Sequence, residues 1–314
     1  MAHRLPKRSA LLAKIEAVYA TDPVPVGATD AMYVYDLAIT PMELVAAGRM
    51  PVRPFFGADT PVIGGTPVKV TFNVPIAGSG AAGTAAPYGA LLRACARSQT
   101  VNAAVDVIYP LVSSAFDSLT LYVNRDGVLH KITGARGSVS VEFAHNAIPL
   151  YKFSFTGIFN APSDVALPAL TFGATWVKPL VQNKVNTTFS LHGFAAVLSK
   201  FDYDTGVENG WKDYVNNTEE VRITGRAAPI KANVSVQADT IAAKDWFAIA
   251  KAGTTGALAL VHGTTAGNKW KLDAATVLVS NPAEEDEDGI LMYKLGLEFF
   301  PTGAGNDEIV ERIL

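Results

Sequence analysis

The chain repeats itself. The stretch Leu119-Thr-Leu-Tyr-Val-Asn-Arg-Asp-Gly-Val-Leu-His-Lys-Ile-Thr leads on to Ile148-Pro-Leu-Tyr-Lys-Phe-Ser-Phe-Thr-Gly. Its counterpart is Leu258-Ala-Leu-Val-His-Gly-Thr-Thr-Ala-Gly-Asn-Lys-Trp-Lys-Leu-Asp, ending in Ile290-Leu-Met-Tyr-Lys-Leu-Gly-Leu-Glu-Phe. Pro67 matches Pro229 at a spacing of 162, Leu119 matches Leu258 at 139, Lys131 matches Lys271 at 140, and Tyr151-Lys152 match Tyr293-Lys294 at 142. The matches keep their order. Their spacing drops where the first copy carries Gly78 to Gly83 and Ser98 to Ser118, for which the second has nothing comparable. This is the signature of a duplicated module, and it points to a protein whose work is assembly and not a pocket.

Within each copy the apolar residues alternate. Val68, Val70, Phe72, Val74 and Ile76 are interleaved with Lys69, Thr71 and Asn73, the period of a half-buried strand. The same period runs through Leu119 to Val123, Val139 to Phe143, Tyr151 to Phe155, Ile230 to Val236, Val277 to Val279 and Tyr293 to Phe299. Helical spacing shows twice, after each Pro-x-Lys strand. Tyr88, Leu91, Leu92 and Cys95 follow Pro87, and Ala242 to Ala252 carries Trp246, Phe247, Ile249 and Ala250 before a capping Gly253. The expected fold is mainly β, in two tandem modules with one flanking helix each. The expected boundaries are an N-terminal arm at 1–30, a first module at 31–160, a linker at 161–186 and a second module at 187–314.

At 314 residues, with 49% apolar and 18% charged, the chain can build two proper cores. Residues 1–165 hold 13 Lys+Arg and 11 Asp+Glu, a balance of +2; residues 166–314 hold 13 and 18, a balance of -5. Neither half offers a broad basic surface for nucleic acid. A solitary Cys95 excludes an internal disulfide. Arg4, Lys7 and Arg8 precede Ala10-Leu-Leu-Ala like a signal peptide, but Lys14 and Glu16 cut the apolar run short, so neither export nor a membrane span is expected. The sequons at Asn186, Asn216 and Asn233 are therefore read as coincidence.

Chemical signals are few. Gly78-Ser-Gly-Ala-Ala-Gly83, with Asp106 further on, fits a dinucleotide-binding pattern and makes an oxidoreductase the enzymatic alternative. Against it, the preceding strand alternates with polar residues, no further βαβ unit follows, and the second copy lacks the glycines. The five histidines have no partners at ligand spacing, Cys95 lies on an apolar helix face, and Glu284 to Asp288 lacks the spacing of a calcium loop. No catalytic residue, metal or cofactor is expected. Ala46 to Gly65 is too long for a turn and too rich in Phe55, Phe56, Val62 and Ile63 for a solvent loop, so it packs on its own domain or on a neighbour. Thr205 to Thr218 holds the same place in the second copy.

Several of these stretches together resemble the tail tube (major tail) protein of siphophages and related prophages. They are Leu11-Leu-Ala-Lys-Ile-Glu-Ala-Val-Tyr-Ala-Thr-Asp-Pro, Thr66-Pro-Val-Lys-Val-Thr-Phe, Leu91-Leu-Arg-Ala-Cys, Asp126-Gly-Val-Leu-His-Lys-Ile-Thr-Gly-Ala-Arg-Gly, Tyr151-Lys-Phe-Ser-Phe-Thr-Gly and His262-Gly-Thr-Thr-Ala-Gly-Asn. The resemblance implies β-sandwich or barrel modules whose inner sheets join around a ring of six, with rings stacked into the conduit for DNA ejection. Two modules per chain would make that ring a homotrimer. It also implies a virion tail location after synthesis in the host cytoplasm, and self-assembly alongside a tape measure, a terminator and a distal tail protein. DNA would pass without specific binding, and no membrane is involved. Under this resemblance Ser138, Ser140, Glu142 and Glu298 are expected to face the lumen and give it a negative potential, with Lys152 and Lys294 as exceptions. Phe55, Phe56, Val62, Ile63 and residues 1–30 are expected to make inter-ring contacts. A tail terminator, baseplate ring or capsid decoration protein remains the alternative within the β-rich assembly proteins.

Overall fold

The computed structural model describes residues 3–314. Met1 and Ala2, the start of the expected arm, lie outside the described residues. The first half runs β1 (Ser9–Ile15), β2 (Tyr35–Thr40), β3 (Val45–Ala47), β4 (Val62–Gly65), β5 (Val68–Pro75), α1 (Gly89–Arg93), β6 (Thr100–Asn102), β7 (Asp106–Pro110), β8 (Leu119–Arg125), β9 (Val128–Ala144), β10 (Leu150–Phe159) and β11 (Ser163–Asp164). The second runs β12 (Thr187–Leu191), β13 (Leu198–Asp204), β14 (Glu208–Lys212), β15 (Glu220–Gly225), β16 (Ile230–Gln237), α2 (Trp246–Ala252), β17 (Thr255–His262), β18 (Trp270–Glu287), β19 (Ile290–Phe300) and β20 (Val310–Ile313).

Strand pairing makes the duplication explicit. The first copy is laced in the order β1-β8-β9-β10-β5-β2, and the second in the order β12-β17-β18-β19-β16-β13, every neighbour antiparallel. Irregularities recur too. The ladder slips between Leu119 and Leu121 against β9, and between Gly256 and Leu258 against β18. These slips locate the true counterparts. Leu121 faces Ile132 as Leu258 faces Ala274, so Leu121 and not Leu119 is the counterpart of Leu258. The Pro67 and Tyr151 matches fall on corresponding register positions, since Val68 opposes Gly157 where Ile230 opposes Phe299.

Alternation does what its period requires. Val70, Phe72, Val139, Phe153 and Phe155 are buried while Lys69, Thr71, Lys152 and Ser154 on the same strands face solvent. Phe72 lies against both Phe153 and Phe155, with ring centroids 5.6 and 5.8 Å apart. One continuous core joins these to Leu91, Leu92 and Cys95 and runs on into the second copy through Phe201, Val234, Leu295 and Leu297. Each fully buried Phe or Leu contributes about 1.5–3 kcal/mol relative to exposure.

Both helices are shorter than their apolar spacing predicts. Asp245 accepts a hydrogen bond from the Ala248 amide at 2.8 Å, which starts α2 at Trp246 and not at Ala242, and Gly253 ends it in the left-handed conformation at φ 63°. Within the expected arm, Ser9 to Ile15 form a strand. Ala10 to Ala13 are buried in β1 against β8, which removes them from any contact with another subunit.

His262 is buried in the second copy. Leu180 O can only accept, so Nε2 carries the proton at 3.2 Å and Nδ1 accepts from Thr187 Oγ1 at 2.9 Å. Burial lowers the pKa of His262, and lowers those of His192 and His130 as well. The unfolded chain therefore binds protons from about pH 6.5 downward where the folded chain does not, so stability falls as pH drops through that value. The melting temperature should be lower at pH 5 than at pH 7. The difference should shrink in His262→Gln, as read by circular dichroism.

Candidate assembly interface

The two modules are joined by a shared sheet. The C-terminal end of β9 pairs with β13 in antiparallel register, Ser140 opposite Asp204, Glu142 opposite Asp202 and Ala144 opposite Lys200. One sheet therefore runs β2-β5-β10-β9-β13-β16-β19-β18 through both copies. It is open within a single chain and does not close into a barrel. Among the described residues, β2 at one end pairs only with β5, and at the other Ala283 to Glu287 of β18 pair only with β19. These two edges are the counterparts of the two strands that meet at the internal junction, because β2 corresponds to β13 and the end of β18 to the end of β9. An unpaired strand edge is a template for another chain.

The same sheet continues past β18 and reinforces the internal junction. The C-terminal strand β20 lies between β18 of the second module and β7 of the first. Glu311 on β20 is completely buried. It accepts from Arg97 Nη1 at 2.5 Å, Tyr203 OH at 2.9 Å, Trp270 Nε1 at 2.9 Å and the hydroxyl of Tyr151. All of these partners donate, the arrangement a carboxylate requires. The sequence reading missed this cluster, although one signal was present: Ile309, Glu311 and Ile313 alternate onto one buried face.

Ser138, Ser140, Glu142 and Glu298 share the face of the continuous sheet that points away from the core. The lysines on it are balanced by acids. Lys69, Lys152, Lys200, Lys231 and Lys294 share the face with Glu142, Asp202, Asp204, Glu285 and Glu298, and Lys152 pairs directly with Glu142.

Opposite in character is the arm between β2 and β5. Its base is the β3–β4 hairpin, and its tip carries Met50, Val52, Phe55 and Phe56, with Phe56 at 108% exposure. Val62 and Ile63 lie at the base, 56% and 48% exposed. Asp59 accepts from Arg53 at 2.6 Å and lies 3.6 Å from Arg49, and the Arg53 guanidinium sits 5.6 Å from the Phe55 ring centre. These contacts shape the tip before it meets anything.

The glycine-rich loop has a packing role. The Gly78 amide donates to Asn268 Oδ1 and the Gly80 amide to Gly267 O, both at 2.8 Å. A Cβ on Gly78 would stand 2.1 Å from Gly267 O. The amides a phosphate would need are thus engaged by a turn of the second copy, and α1 after them is five residues long. Cys95 is fully buried, with its thiol pKa pushed up by that burial. Among the described residues no group of three His, Cys, Asp or Glu is placed to hold a metal, and no helix is long and apolar enough to cross a membrane.

A family model described as phage tail tube protein matches residues 6–299. No curated protein matches the chain.

Proposed function

Since this chain belongs to the phage tail tube protein family, a structural family of the virion tail, we propose that three copies close into a ring of six modules and that rings stack into the conduit for DNA ejection. The observation that carries this reading is the junction of β9 with β13. Two modules already meet there by strand pairing, and the free edges of the chain are the same two strands one module further on. In this reading the next chain pairs in the same register as the internal junction, with Ala38 opposite Glu285 and Thr40 opposite Ala283. Closing the sheet in this way satisfies both edges at once.

The face that carries Ser138, Ser140, Glu142 and Glu298 then lines the lumen. Its lysines are matched by acids, so the wall has little net charge with which to hold DNA by counterion release. Phe55 and Phe56, at the end of the arm, reach the ring above or below. Tape measure, terminator and distal tail proteins are the other partners in this reading, and synthesis takes place in the host cytoplasm. Negative-stain microscopy of the purified protein should show hollow tubes, and native mass spectrometry of dissociated rings should count three chains. Rings of six chains would overturn the stoichiometry, and absence of any ring or tube would overturn the function.

A further inference from the structure

The hairpin β14–β15 is seated on the first module. Val221 is completely buried; its amide donates to Tyr19 OH at 2.6 Å and its carbonyl accepts from Arg136 Nη1 at 2.8 Å. Asn209 Nδ2 reaches Arg136 O at 3.4 Å, and the Arg136 guanidinium lies 4.7 Å from the Tyr19 ring centre. A strand hairpin of one module thus clasps β9 and β10 of the other.

The first module carries the same device without a seat. The hairpin β3–β4 is inserted between β2 and β5 as β14–β15 is between β13 and β16, and its ladder slips between Val45 and Ala46 as the other slips between Glu208 and Asn209. The shared irregularity makes Ala46 the counterpart of Asn209 and Ile63 the counterpart of Ile223. Yet Val45 and Ile63 stand 46% and 48% exposed.

The vacant counterpart of the seat is on β18 and β19. Arg136 opposes Thr156 as Leu278 opposes Glu298, so Leu278 stands where Arg136 stands, and by the same register Phe300 stands where Ile158 stands. Leu278 and Phe300 are half-buried apolar side chains on an otherwise polar face. Character matches on both sides. The hairpin that bears Asn209, Glu220 and Arg222 sits on Arg136 and Tyr19, whereas the hairpin that bears Val45, Val62 and Ile63 has a greasy counterpart of that seat available only on another copy.

We propose that β3–β4 of one chain lies across β18 and β19 of a neighbouring copy in the same ring, with Ala46 over Leu278, which covers the Glu298 end of that face and leaves Ser138, Ser140 and Glu142 to the lumen. This rests on the ring reading above and assigns Val62 and Ile63 to contacts between chains of one ring, leaving the tip for the next ring. Gly65 at the base of β4 already lies against Trp211 of β14–β15, so the hairpins would follow one another around the ring as a continuous belt.

Two chains, each with one added cysteine, test it. Full-length Ala46→Cys is mixed with full-length Leu278→Cys under assembly conditions and treated with a short thiol cross-linker, the buried Cys95 serving as the internal blank. A two-chain product that neither variant gives alone is the expected result. The companion mixture of Ala38→Cys and Glu285→Cys reports on the sheet edges. If that mixture cross-links and the first does not, the clasp is wrong and the ring reading stands. A product from the first mixture alone would uphold the clasp and overturn the edge pairing. If neither links and no rings form, both fall together.

Discussion

Replacing Glu311 with alanine is expected to lower the free energy of unfolding by about 3–5 kcal/mol, the cost of leaving a buried charge without its partner. Arg97, fully buried, would lose its carboxylate, and the donors on Tyr151, Tyr203 and Trp270 would lose their shared acceptor. Burial works against the charge on Arg97 and Glu311 is the main group that offsets it; because an arginine does not deprotonate in a protein, the guanidinium would remain charged and buried without its carboxylate. For a chain of this length the melting temperature should fall by on the order of 10 °C. The loss should be concentrated at the module junction, because the five side chains come from the turn after α1, from β10, β13, β18 and β20. Removing both charges with the apolar pair Arg97→Met and Glu311→Leu should recover the part of the loss that comes from the unpaired guanidinium, while the donors on Tyr151, Tyr203 and Trp270 remain without an acceptor. A loss below about 1 kcal/mol for Glu311→Ala would mean that the cluster does not tie the modules.

The second large effect concerns assembly and should leave the fold alone. Replacing residues 48–61 by Asn-Gly, a two-residue turn suited to closing β3 onto β4, should leave the melting temperature unchanged and yield rings that do not stack. The excised tip contributes nothing to the core, since Met50, Val52, Phe55 and Phe56 are exposed. Each of these side chains can gain about 1.5–3 kcal/mol on full burial, so even a partial loss of about 4 kcal/mol per contact weakens stacking roughly a thousandfold. Microscopy and sedimentation read the outcome. Tubes of normal length from the shortened chain would overturn the assignment of the tip to inter-ring contact.

Much of the fold could be read from side-chain periodicity, because a strand with one face in the core must alternate. The buried and exposed sides of β5, β9, β10, β16 and β19 followed directly. Alternation specifies a face, however, and not a partner. Nothing in the spacing of Phe201 and Tyr203 says that β13 will pair with β9 of the other module. Leu119 and Leu121 are both buried leucines one strand period apart, and a comparison by residue type alone therefore came out two positions wrong at Leu119. The helices were overextended because apolar spacing continues past the point where Asp245 caps. Gly78 fitted a phosphate-loop pattern because a glycine needed for close backbone approach is the same residue whichever backbone or ligand approaches. The arm was visible as an apolar stretch with no period, but the seat at Leu278 was not. Its significance arises only when the two copies are superposed in register.

Fusing two modules through β9 and β13 has a consequence for counting errors. Subunits that each bring one module can close a ring with one too many or one too few, at the cost of a slight change in curvature at every joint. A chain that always brings two cannot. Odd totals are inaccessible, and the nearest wrong bore differs from the correct one by two modules. In the proposed ring, the peptide bonds between the copies would thus act as a proofreading step for diameter, completed at translation, before any two chains have met.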